Sequence, residues 1–300
     1  MLVVRVGCDL TFECPGPTAA LFIIKPRRDS GRPIIQEQLE FVPDRAADEL
    51  KDPYGNLLHR TILGSGANRI RHDALVEVPP TTDREQSAGE ATPVSSLAPE
   101  VLQYVLPSRY CDSDKLADFA WKQFGRFQHA YERAQEICDW VHNNIEYRFG
   151  SGRPDISASE IIERGFGVCR DFAHCAISLC RTFNLPARYV TGHLPDIGYV
   201  DPGTPMDFHA YSEVYIDGRW HTFDARYNVP RIGRIKIAHG RDSVDCAFST
   251  AFGAAALSHF QVWAYQVQPG QVSVGDPIDL SKRLDGTKVL RGLPEVSVPK

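Results

Sequence analysis

The hydrophobic period of this chain changes twice along its length, and that change limits the folds open to it. Up to about residue 80, short β-branched and aromatic runs at 2–6, 20–24, 34–42, 57–63 and 74–78 are separated by turn signals such as Pro53, Gly55 and Asn56. Runs with this spacing predict antiparallel β structure. Residues 79–99 turn to Pro, Thr, Ser and Glu with little apolar content and read as a linker. The period then lengthens to nearly four. Leu116, Phe119, Ala120 and Phe124 share one helical face, as do Tyr131, Ala134, Cys138, Val141 and Ile145. Ser157 with Glu160 forms a capping box for a short third helix that Gly165 is placed to end. Phe172, Ala176, Leu179 and Phe183 make the stripe of a fourth. Ala173, Ile177 and Cys180 extend its apolar surface to further faces, so this helix belongs in the interior. After Asn184 and Pro186, extended runs return at 187–193, 208–216, 219–224, 232–237 and 260–267.

Strands, then helices, then strands predict an α+β chain. The expected division is an N-terminal antiparallel β domain over 1–90, a core of helices packed on an antiparallel sheet over 91–270, and an irregular C-terminal tail over 271–300. A length of 300 residues suits two domains, and 43% hydrophobic with 24% charged residues suits a soluble globular chain. The net charge of −5 is small and spread out, so no basic stripe is available to a nucleic acid. The apolar opening at 1–6 lacks the basic flank of a signal peptide, and no run approaches the ~18 apolar residues of a membrane span. The eight cysteines show neither the paired framework of small secreted domains nor a C-x-x-C pair. A reducing cytoplasm is expected, structural zinc is disfavoured, and no cofactor or membrane partner is called for.

Cys169 stands where a glycine-containing loop, Gly165 to Val168, becomes the buried helix. Unpaired N–H groups and the positive end of the helix dipole favour the thiolate there. Gly165 and Gly167 would let a substrate backbone approach closely. A second constellation follows from Asp217-Gly218, a dipeptide that favours a two-residue hairpin of the primed kind. If Ile216 pairs with Arg219, Glu213 faces Thr222, Tyr211 faces Asp224 and His209 faces Arg226. His209 and Asp224 are then diagonal neighbours on one sheet face, roughly 7–8 Å apart at the backbone. A one-residue slip would part them. A histidine oriented by a carboxylate takes a proton from a cysteine and returns it to a leaving group. The candidate catalytic residues are therefore Cys169, His209 and Asp224.

The segment Gly167-Val168-Cys169-Arg170-Asp171-Phe172-Ala173-His174 resembles the nucleophile motif of the transglutaminase-like superfamily. Asp207-Phe208-His209-Ala210-Tyr211 and Trp220-His221-Thr222-Phe223-Asp224-Ala225-Arg226 resemble its histidine and aspartate motifs. Residues 185–192 and 228–235 are similar to the bacterial cysteine protease branch of that superfamily, and the likeness covers about 110–265. The resemblance implies a papain-like core with Cys169 as nucleophile, His209 as base and acid, and Asp224 as orienting carboxylate. It implies a peptide or protein substrate and leaves the reaction open between crosslinking transferase, peptidase and amidase. No match to the acidic calcium sites of the animal crosslinking enzymes is present.

Blander readings compete at each position. A free cysteine is commonly a buried structural thiol, which is the reading for Cys175 and Cys180. His174 and His221 read as structural, His221 pointing to the opposite strand face from His209. Glu213 is a rival carboxylate, and Arg170 and Asp171 read either as site wall or only as the first helical turn, where an acid is favourable. The loop 194–207 reads equally as a gate or as an ordinary connection. The Cys169 N–H is a candidate oxyanion donor, with Trp140, Asn143 and Asn144 the side chains considered beside it. Hydrolysis of an amide through a thioester is the first reading of function, acyl transfer to an amine the second, and a silent scaffold the third.

Overall fold

The computed structural model describes residues 1–83 and 89–287. The N-terminal strands are β1 (Leu2–Cys14), β2 (Thr18–Phe22), β3 (Ile34–Val42), β4 (Asp48–Lys51), β5 (Leu57–Leu63) and β6 (Gly66–Val78). Then come α1 (Pro99–Leu102), α2 (Ala117–Phe124), α3 (Ala130–Asn144), β7 (Glu146–Tyr147), α4 (Ala158–Arg164), β8 (Phe166–Gly167) and α5 (Cys169–Thr182). The chain continues through β9 (Ala187–His193), β10 (His209–Ile216), β11 (Arg219–Phe223), β12 (Ile235–Gly240), β13 (Ser249–Ala251) and β14 (Ala256–Val267). The class is α+β, as the periods predict.

Behind the helices, β11-β10-β9-β12 form an antiparallel sheet. α5 lies on β9 and β10 with α3 and α4 beside it, and every residue from Asp171 to Arg181 is buried. Its apolar faces meet Ile137, Val141, Ala210 and Val214, so its all-round hydrophobicity has the interior consequence expected of it. Arg181 fixes its far end by donating to the Ala187 carbonyl at 3.0 and 2.8 Å and to the Leu106 carbonyl at 3.0 Å.

The N-terminal strands divide between two sheets, β14-β1-β6-β3 and β13-β2-β5-β4. β14, from beyond the core helices, runs antiparallel to β1 with Val3 opposite Val267 and Leu10 opposite Phe260. The run at 260–267 thus completes the N-terminal sheet instead of extending the one behind the helices, because β1 would otherwise expose an unpaired edge. One face of β1 buries Cys8, Leu10 and Phe12 against Phe22 and Leu63 of the second sheet. On that same face, Val4 and Val6 pack against Ile197, Ile232 and Ile235 of the core. Its other face carries Arg5, which donates to Asp73 at 3.0 and 2.7 Å, with Val3 and Trp263 nearby under Val272 and Ile278. Residues 271–287 are therefore irregular but packed. Residues 288–300 of the expected tail and 84–88 of the expected linker lie outside the described residues.

Candidate active site

Local chemistry sets the loop that leads to Cys169. Ser157 caps α4, its N–H bonded to Glu160 Oε2 at 2.7 Å, and Gly165 ends the helix at φ 75°. β7 and β8 then pair in parallel, Tyr147 opposite Gly167, and deliver the chain to α5. Asp171 accepts the Val168 N–H at 2.9 Å, closing the helix start. A Cβ at Gly167 would lie 2.7 Å from the Asp171 side chain, so this glycine makes room for the cap; substrate approach is not what requires it.

The hairpin forms in the computed register, from Ile216 opposite Arg219 to Ser212 opposite Phe223. Asp217 and Gly218 both take positive φ, 56° and 76°, as the primed turn requires. The ladder stops at Phe223, so the pairs Tyr211–Asp224 and His209–Arg226 do not form. Asp224 instead begins a turn closed by the Asn228 N–H on its carbonyl at 2.7 Å. From there its carboxylate reaches His209, with Oδ2 2.7 Å from Nε2. Nε2 is the nitrogen placed to donate, and Nδ1 then carries the lone pair. Oδ1 accepts the N–H groups of Arg226 and Tyr227 at 3.2 and 3.3 Å.

Cys169 Sγ lies 3.9 Å from the carbonyl oxygen of Phe208, beside the start of β10, and is half-buried. It sits where two cavities meet, one of about 730 Å³ and one of about 80 Å³. Tyr147, Asp207 and Phe208 line both, and His209 opens onto the smaller. Phe208 stacks on Phe248 at 5.6 Å and meets Phe260 at 6.1 Å, so the N-terminal assembly reaches the cleft through aromatic contact. Ile23, just beyond β2, lines the larger cavity.

Burial and neighbouring charges shift all three groups. Burial pushes the Cys169 thiol up to about 12, Asp207 adding to it, and the Ala210 and Arg170 amides offset only part. Desolvation here outweighs the helix-start preference for a thiolate. Burial also lowers His209 by more than Asp224 restores, with Arg234 and Arg231 lowering it further. Burial alone would raise Asp224, but His209 and Arg234 hold it well below the carboxylate range. All three shifts run in one direction, toward thiol, neutral imidazole and carboxylate.

Arg234 escaped the sequence reading. Its Nη1 lies 2.7 Å from Asp224 Oδ2, and its Nε donates to Asp83, in the stretch read as linker. Both residues stood in the sequence without a local signal of their meeting. Glu213, the rival carboxylate, is engaged by Arg188 at 2.6 Å and by Lys236. His221 bonds the Ile216 carbonyl at 3.2 Å, and His174 accepts the Ser243 N–H at 3.2 Å. Asn143 and Asn144 each donate to a carbonyl of α3 at 2.8 Å, and Trp140 packs on Phe119. Part of the loop 194–207 is tied down: Asp196 binds Arg231 at 2.8 Å, and Asp201 N–H bonds the Gly286 carbonyl at 3.0 Å.

The model of the transglutaminase-like superfamily matches residues 118–225. The crystal structure of "a Putative Cysteine Protease from Cytophaga hutchinsonii" is 33% identical and covers 89% of this chain and 91% of its own, with a TM-score of 0.78. The chain belongs to the transglutaminase-like superfamily. It falls in the bacterial branch with the Cytophaga protein, and at the level of the superfamily it is a cysteine-based enzyme. This transglutaminase-like chain is also 24% identical to an uncharacterized protein of Mycobacterium leprae over 238 residues, 75% of this chain and 82% of that one. It is 27% identical to the human kyphoscoliosis peptidase over 105 residues, 32% of this chain and 15% of that protein. No helix among the described residues is long and apolar enough to cross a membrane.

Proposed function

We propose that this protein is a cysteine-nucleophile hydrolase of amide bonds, a peptidase or amidase, working through Cys169, His209 and Asp224. The observation that carries this reading is the 2.7 Å contact of His209 Nε2 with Asp224, which turns Nδ1 into the base of a cleft shared with Cys169. Sγ attacks the amide carbonyl as its proton passes to His209 Nδ1. The tetrahedral intermediate collapses, the C–N bond breaks, and the imidazolium proton leaves with the amine. Water then attacks the thioester, giving its proton to His209, and the C–S bond breaks to free the acid and restore the thiol. The Cys169 N–H at the start of α5 supports the oxyanion. The eight unpaired thiols support a reducing compartment.

An amine in place of water makes the same site an acyl transferase, and the test must separate the two. A peptide library that includes glutamine peptides is incubated with and without a labelled primary amine, and free acid and amide product are both measured. Free acid is expected from the wild type, none from Cys169→Ala, and a loss on the order of 10²-fold or more in kcat from Asp224→Asn. Amide product in excess of acid selects the transferase. A wild type that yields neither product is the scaffold. Since burial lowers His209, the acid limb of kcat/KM is expected below the ordinary histidine value of about 6.5.

A further inference from the structure

The two cavities at Cys169 differ in chemistry, and His209 distinguishes their roles. A leaving amine takes its proton from the imidazolium, so it stands on the side onto which His209 opens. That is the smaller cavity, and the larger then receives the acyl part beside Tyr110, Tyr189 and Phe248.

The smaller cavity is lined by Asp196, Asp201, Asp207 and Arg226, and of these Asp207 also borders the larger one at their junction. Asp196 is engaged by Arg231 and Arg283, each at 2.8 Å, and Asp201 by Arg283. Arg226 stacks over the Tyr147 ring at 3.7 Å. Asp207 differs from its neighbours. It is exposed to the cleft, its Oδ1 accepts the adjoining Phe208 N–H at 2.7 Å, and among the described residues no cation contributes to its electrostatics. The surrounding walls displace enough water to push its carboxyl up to about 6, the direction for an acid without a positive partner.

We infer that Asp207 determines specificity for the amine partner, selecting an amine that bears a further cationic group over a neutral one. The inference rests on the reading of Cys169 and His209 as the reacting pair. By microscopic reversibility the same subsite serves a leaving amine and an accepting one.

Two amides of a single acyl group test it, the N-butyl amide and the N-(4-aminobutyl) amide. The wild type is expected to favour the cationic amide in kcat/KM on the order of tenfold, and Asp207→Asn to bring the ratio near one. Equal rates in the wild type, or a preference that survives Asp207→Asn, overturn the assignment. Alkylation of Cys169 by iodoacetamide at constant ionic strength gives a readout that needs no turnover. 1,4-Diaminobutane is expected to slow it in the wild type and not in Asp207→Asn, while n-butanol slows neither. No protection in the wild type overturns the Asp207 site even where amides are hydrolysed. Protection without hydrolysis or transfer of any amide keeps the amine subsite and removes the catalytic reading.

Discussion

His193 is 1% exposed, and neither ring nitrogen has a hydrogen-bond partner among the described residues. Burial, with His72 nearby, lowers it to about 3. The folded value lies below the unfolded value of about 6.5, so between them the unfolded chain binds more protons. This contribution to stability is complete above about pH 6.5 and is lost as pH falls toward 3. Burial drives His174 and His209 the same way. The urea midpoint is therefore expected to be lower at pH 5 than at pH 7, and His193→Leu to narrow that difference. An unchanged difference in the variant would remove His193 from the account.

α5 depends on its first turn. Asp171 is fully buried, accepts the Val168 N–H at 2.9 Å and pairs with Arg170 at 3.1 Å. Removing that cap with Asp171→Ala is expected to cost roughly 1–2 kcal/mol, read from urea unfolding. Because the cap holds the loop that presents Cys169, kcat should fall as well, whereas a loss of stability alone would leave kcat of the folded fraction unchanged. The hairpin shows the complementary case. Its turn and five pairs follow from Asp217-Gly218, yet the approach of His209 to Asp224 comes from the turn after Phe223.

Across the whole molecule, the final described segment clamps the loop that leads to the site. Arg283 binds Asp196, Asp201 and Asp285, and Gly286 N–H bonds the Asp196 carbonyl at 3.1 Å. With Tyr199 also bonded to the Pro230 carbonyl, the first half of 194–207 is held as a fixed wall. Arg283→Ala is expected to free it, so that chymotrypsin cuts after Tyr199 at protease levels that leave the wild type intact. Resistance equal to the wild type would place the restraint in Arg231 and the backbone bonds instead.

The sequence by itself determined whatever is decided within a turn or along one face: the interior character of α5, the caps of α4, the primed hairpin and the position of Cys169 at a helix start. Those signals are local because backbone hydrogen bonding and side-chain period are local. Tertiary structure alone decided the rest. The return of β14 to β1 and the Asp83–Arg234–Asp224 chain join residues far apart in sequence. The upward shift of the Cys169 thiol belongs with them, since its first cause is burial, a property of the packed molecule.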